Sequence, residues 1–549
     1  MHSLMRGRLA FHVLTACVCV WCVSATGAAE PGEYFQIRVV DEQTGRGVGL
    51  VELKTTGSIR YYTDSAGVVA FLEPGLMNRR VFFHVSSHGY EYPKDGFGYA
   101  GVALDVRPGG AAEIKIKRLN IAERLYRITG EGIYHDSVLL GLPVPIRQPV
   151  LNGLVVGQDS VQAIVYKGKV LWFWGDTSCP AYPLGLFRVS GATSGLPGAG
   201  GLDPGVGVDL TYFVGPDGFS KAMCPMPQAP EGVVWIDGLM TAADATGRQR
   251  LLCHYTRLAG LGKPLEHGLA AWDDDKELFV KAGQFDMNRP WQCLKAHPIS
   301  VSDGGQEYRV FPEPLAMVRV RADLASVAGQ DRYEAFTPLA PGSRYDKAAS
   351  KLERDPAGKL VWDWKADTEP VNQAQEQELL AAGLMRPDEA RYQVKDAQTG
   401  KPIILHGGTL AWNDYRRKWI MIALQISGPS SMLGEVYFAE ADAPTGPWRQ
   451  ARKIVTHDRY SFYNVAHHPF FDQQGGRIIY FEGTYTATFS RTEDPTPRYD
   501  YNQIMYRLDL SDERLAAPPE ATSDSSPAAS SSPATAPSPD DRGAQEKGH

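Results

Sequence analysis

A hairpin that recurs is the feature that most constrains this chain. Over residues 157–177 two short strands flank a tight Lys167–Gly168 turn, and the second strand carries the β-rich run Val170 to Trp174. Four later segments repeat the plan. They run from Ile236 to Tyr255, from His297 to Phe311, from His406 to Ala423 and from His467 to Glu482, each with a Gly-rich or polar turn between apolar stretches. A lone hairpin is marginal in water, and a four-stranded sheet buries its faces only against neighbours. Five unevenly spaced repeats therefore predict an all-β fold, a five-bladed β-propeller over 143–510. The unevenness comes from a charged insertion, 322–401, which is partly helical. Within it Gln373 to Ala382 is a good helix former with Gly383 placed as its cap and Pro387 beyond.

The flanks read differently. Residues 33–118 alternate apolar and polar in short runs between Gly/Asp turns, the pattern of a small β-sandwich. His84, Ser86, Ser87 and His88 near its end have no carboxylate cluster beside them and are read as structural. Residues 121–141 read as a connector. The first 29 residues read as a secretory signal: Arg6 and Arg8 precede an apolar run from Leu9 to Val23, and Val23–Ala25 offers a cleavage site. Leu14 to Cys17 also resembles a bacterial lipoprotein box, so the expectation is an exported protein, periplasmic or extracellular, with lipid anchoring as the alternative and no stable membrane insertion. From Ala516 onward the chain is Ala, Pro and Ser without aromatics, a composition that stays disordered.

A formal net charge of −7 gives no basic surface for phosphates, so no nucleic-acid partner is expected. Once Cys17, Cys19 and Cys22 leave with the signal, Cys179, Cys224, Cys253 and Cys293 remain. They have no metal-ligand spacing and are either buried thiols or up to two disulfides. No cofactor and no metal is expected, and the protein is expected to be a monomer.

The innermost strands of a propeller begin at a central funnel. The repeat puts Asp159, Asp237, His297, His406 and His468 at equivalent first-strand positions, where blade packing alone would ask for small or apolar residues. Asp176 and Glu482 close matching second strands, in Gly175–Thr177 and Phe481–Thr484. Paired carboxyls beside aromatics are what glycoside cleavage requires: one protonates the leaving oxygen, and the other attacks or activates water. Asp159, Asp176 and Glu482 are therefore the catalytic candidates. Asp237, His297, His406, His468, Trp174, Tyr463 and Asn464 are candidates for binding a carbohydrate substrate, with Trp172 and Tyr485 as further flat faces. A non-catalytic carbohydrate-binding or cell-surface scaffold is the alternative, and a metal-dependent enzyme using the funnel histidines is a third reading.

Two resemblances bear on these readings. Val39 to Val48 with Thr63 to Gly67 resembles transthyretin-like, carboxypeptidase-regulatory modules, which implies a sandwich acting as a spacer or accessory domain. Trp172 to Thr177, Gly434 to Glu440, Pro444 to Trp448 and His468 to Phe471 resemble the five-bladed-propeller glycoside hydrolases, the arabinanase and fructosidase families among them. The group containing bacterial endo-D-arabinan hydrolases is the nearest. That resemblance implies Asp159 and Asp176 as the catalytic pair and leaves Glu435, Glu440 and Glu482 open as later-blade acids.

Overall fold

The computed structural model describes residues 31–516 except 187, 261, 491 and 493. The segment read as a secretory leader and the Ala/Pro/Ser tail, apart from Ala516, lie outside the described residues. The fold is all-β, and it begins with two four-stranded sheets over one apolar core. Phe35–Asp41 lies between Val68–Phe71 and Ala111–Arg118, with Tyr90–Glu91 beyond; Glu52–Thr55 and Arg79–Ser86 centre the other sheet. Alternation decides the faces: Phe35, Ile37 and Val39 point inward with Leu53, Phe83 and Ile116, while Arg38 stays outside. The Asp64–Gly67 turn forms because the Asp64 carboxylate accepts from the Ala66 and Val68 amides (2.9 and 3.2 Å) and Gly67 takes a φ of +76°.

The stretch 121–141 is more than a connector. Glu123–Arg127 is a fully buried strand that pairs antiparallel with Asn502–Asp509, so the second unit begins some twenty residues before position 143. That strand completes a sheet whose other members are Ser461–His467, Ile478–Thr486 and Asn502–Asp509. The first and last parts of the unit are thereby joined by backbone hydrogen bonds.

Four larger sheets of this unit precede it along the chain, beside a three-stranded one of Gly157–Gln158, Thr177–Cys179 and Tyr182–Leu186. The first is built on Gln162–Tyr166, Lys169–Trp174 and Ser190–Pro197, with the turn residues Lys167 and Gly168 both at positive φ, as a two-residue hairpin needs. The second runs from Val233–Ala243 to Leu278–Phe285, the third from Ile299–Asp303 to Asp363–Ala366, and the fourth from Leu405–Asn413 to Gln450–Val455. Their cores are shared in cyclic order. Val170, Trp172 and Trp174 pack with Tyr480 of the fifth sheet, whereas Leu171 and Phe173, on the opposite face of the same strand, pack with Tyr255 and Trp272 of the second. Phe285 meets Tyr333, Ala316 meets Met421, and Phe438 meets Phe481, which brings the sequence of contacts back to the fifth sheet.

The insertion over 322–401 is part of this architecture. Glu334–Thr337 and Asp363–Ala366 are the two outer strands of the third sheet, so the segment is not only a decoration. Its helix, Gln373–Ala381, starts at a capping box in which the Asn372 and Gln375 side chains accept from each other's backbone amides (both 2.9 Å), and Gly383 follows its end at a φ of +70°. The N-terminal sheets dock on the fifth sheet through polar contacts. The Tyr499 hydroxyl donates to the Thr63 carbonyl (2.7 Å) and accepts from the Leu50 amide (3.0 Å), and the His88 ring bonds the Tyr485 hydroxyl at 2.9 Å. All four described cysteines are free thiols.

Candidate active site

The first long strand of each of the five sheets has one residue at positive φ within it or just before it. Gly238 (59°), Gly407 (54°) and Asn464 (53°) lie inside their strands, and Ser160 (57°) and Ala296 (97°) precede Gln162–Tyr166 and Ile299–Asp303. In the second, fourth and fifth sheets the pairing register also slips there, the mark of a bulge. Such a residue turns the chain locally and re-aims its neighbours, and three of these five positions carry a side chain in a region that disfavours one. The residues immediately before it are Asp159, Asp237, Lys295, His406 and Tyr463. Four of the five stations also touch. Asn464 Nδ2 donates to Ser160 Oγ (2.6 Å), Gln162 Nε2 donates to Asp237 Oδ1 (3.3 Å), and the Gly238 amide donates to the Ala296 carbonyl (3.0 Å).

At the first station Asp159 is held from two sides. Its Oδ1 accepts from the Asp176 amide (2.9 Å) and its Oδ2 from the Tyr463 hydroxyl (2.7 Å). Burial pushes its carboxyl up to about 6, against the Tyr463 hydrogen bond and with the Asp176 carboxylate adding to the rise. Asp176 is raised by burial too, and the Trp235 indole, donating to its Oδ1 at 3.2 Å, works the other way. Asp237 is pushed up to about 7, first by burial and then by the Glu313 carboxylate, while Lys295 pulls it back. Protein packed around the Glu313 carboxyl strips water from it and raises it too, while Lys295 pulls it back. Asp159, Asp176 and Asp237 are all partly open to solvent, and Glu313 and Lys295 are exposed. Four carboxyls and one ammonium thus share a neighbourhood that water reaches.

Several residues named from the sequence sit elsewhere than expected. His297 and His468 were placed at first-strand stations, but those stations belong to Lys295 and Tyr463. His297 and His468 fall two and five residues later. His468 is buried between Trp172 and Phe470 and bonds Glu482 Oε1 at 2.6 Å, which removes it from a substrate-binding role. Glu482, with 0% exposure, lies beneath the site rather than in it, and burial drives its carboxyl well above the ordinary range, so the catalytic assignment does not hold. Trp174 is 1% exposed, stacked on Trp172 in the core between the first and fifth sheets, and cannot present a face to a sugar. Tyr485 and Trp172 are likewise buried. His297 and His406 remain half-buried; burial brings His297 down to about 3 and lowers His406, so both rings are neutral at neutral pH.

Lys295, Glu313, Trp235 and Tyr501 escaped the sequence reading. Burial and the nearby Asp159 and Asp176 carboxylates raise the Tyr501 hydroxyl far above its ordinary range. Nothing local marks Lys295 or Tyr501. Among the described residues no three His, Cys, Asp or Glu side chains gather into a set that could hold a metal ion.

No protein-family model matches the chain, and no curated protein matches it. Among solved structures the chain is similar in fold to glycoside hydrolases. A GH43_1 enzyme from Xanthomonas citri complexed with xylotriose is 9% identical, with 65% of this chain and 88% of that chain covered at a TM-score of 0.32. An exo-1,5-alpha-L-arabinanase from a bovine ruminal metagenomic library is 10% identical, covering 65% of this chain and 94% of that one at a TM-score of 0.32. An exo-beta-1,3-galactanase from Phanerochaete chrysosporium with galactose is 9% identical over 71% of this chain and 65% of that one, with a TM-score of 0.33.

Proposed function

We propose that this chain is an exported glycoside hydrolase, its five sheets the blades of a five-bladed β-propeller behind an N-terminal β-sandwich, acting on a poly- or oligosaccharide at the inner ends of the blades. The cyclic sharing of cores supports the ring, and the shared core of the N-terminal sheets supports the sandwich. The observation that carries the chemistry is the meeting of the Asp159 and Asp237 carboxyls, pushed up to about 6 and about 7, in one solvent-reached cluster.

Cleavage of a glycosidic bond needs a proton delivered to the leaving oxygen and a carboxylate to attack the sugar or activate water. Asp237 and Glu313 raise the proton affinity of that corner together, so between them they retain a proton near neutral pH. Asp159, lower by about one, is mostly ionised there. Its two hydrogen bonds fix the carboxylate plane while each oxygen keeps a further lone pair for water or the sugar. Asp176, paired with Asp159 from the sequence, supplies the backbone amide that orients Asp159 and the charge that raises its pKa. Asp237, a substrate-binding candidate from the sequence, takes the acid role.

A screen of plant and bacterial polysaccharides, read by released reducing ends, tests the assignment. Asp159→Asn and Asp237→Asn are each expected to lower turnover by about 10²- to 10⁴-fold, the range for a lost general acid or base. A wild-type protein that releases nothing from any polysaccharide, or variants that match it, would overturn the proposal.

A further inference from the structure

A cavity of about 220 Å³ opens beside the acidic cluster, and Glu313 and Lys295 belong to its wall. At roughly 30 Å³ per water it has room for about seven waters, the space of one sugar ring rather than of a chain. Its apolar side is Trp291, Leu294, Phe311 and Met317, from the loop after the second sheet and from the third sheet. The opposite side is Glu369, Asn372 and Gln375, supplied by the insertion at the start of its capped helix. An ion pair between Arg289 and Asp367 (3.5 Å) ties the two sides together.

The polar wall has a distinct composition. The capping box uses the carbonyl oxygens of Asn372 and Gln375 for backbone amides, which leaves each side chain's NH₂ as a donor with no hydrogen bond recorded among the described residues. Glu369 accepts from the Tyr345 amide through Oε2, leaving Oε1 as an acceptor, and Lys295 adds an ammonium with no ion pair among the described residues. The lining therefore combines donors and acceptors with an indole. That combination suits a ring with an apolar face and a rim of hydroxyls, and it suits a flat hydrocarbon or a simple anion poorly. We infer that the cavity between Trp291 and the Asn372–Gln375 helix start is a monosaccharide-binding subsite, in which the insertion selects a substrate with a sugar unit extending past Glu313. This inference rests on the glycoside-hydrolase reading for its position relative to the cleaved bond.

The test uses the full chain and arabinan, xylan and galactan oligosaccharides of about two to six units. Trp291→Ala removes the floor, and Gln375→Ala, on a half-exposed position, removes one donor should the first variant fold poorly. Either is expected to lower kcat/KM for the longer oligosaccharides, relative to the shortest one cleaved, by about tenfold, the worth of one good contact. A ratio equal to that of the wild type in both variants overturns the subsite. If the wild type cleaves nothing, the hydrolase reading fails separately, and calorimetric titration of the same oligosaccharides decides the subsite. Affinity weakened about tenfold in the variants supports it; equal affinity, or no binding by the wild type, overturns it.

Discussion

Replacing Asp237 by Asn should stabilise the protein in a way that depends on pH. An ordinary Asp carboxyl titrates at 3.8, and in the folded protein Asp237 titrates at about 7, mainly because it is buried and secondarily because Glu313 faces it. The folded state thus binds this proton more tightly than the unfolded chain. The resulting stabilisation is fully present below the unfolded value, fades as pH rises, and is gone once pH passes the folded value. At about 1.4 kcal/mol per tenfold change in proton affinity, the charged carboxylate costs the fold up to about 4 kcal/mol at pH 8. An amide of the same shape carries no such cost and can keep the contact to Gln162 at 3.3 Å. Urea unfolding of both proteins by tryptophan fluorescence, from about pH 4 to pH 8, should give curves that nearly coincide at the acid end. The gap in favour of Asp237→Asn should grow up to about pH 7 and then level. A gap that does not change with pH, or a variant less stable than wild type at pH 8, would refute the burial of a high-affinity proton at this position.

Other outcomes follow from the same contacts. The kcat/KM profile should be narrow, with an acid limb near 6 as Asp159 takes up a proton and an alkaline limb near 7 as the Asp237–Glu313 corner loses one. In Tyr463→Phe the carboxylate loses a 2.7 Å donor, so the acid limb should move upward, by up to about one pH unit for a hydrogen bond of ordinary strength; a downward move would contradict the geometry. Tyr499→Phe removes both bonds of the hydroxyl at the junction with the N-terminal sheets, but the Leu50 amide keeps its bond to the Thr63 carbonyl (3.1 Å), so the loss should be about 0.5–1.5 kcal/mol in a thermal or chemical melt. Trp172→Ala empties the core between the first and fifth sheets and breaks the indole bond to Ser194 Oγ (2.9 Å), with an expected loss of about 3–5 kcal/mol. An unchanged melt would mean that those sheets do not share a core.

The strand pattern was legible wherever alternation was strong. Phe35 to Val39, the Lys167–Gly168 hairpin and the capped helix with Gly383 all formed where local chemistry said they would. Alternation in Val170 to Trp174 predicts a strand with two buried faces, but not which neighbour covers each. Trp174 could therefore be read as a sugar platform and is in fact a core residue. The hairpin repeat also misplaced His297 and His468, because spacing is a weak ruler when bulges add a residue to some strands and not to others.

Local sequence thus determined the elements, because hydrogen-bond period, turn φ and capping depend on residues a few positions apart. Tertiary structure decided the site. Asp159, Tyr463 and Tyr501 are hundreds of positions apart in part, and the Asp237–Glu313–Lys295 corner joins two sheets. The pKa of each acid is set by burial and by charges that only packing brings near, and no periodicity in the chain encodes either.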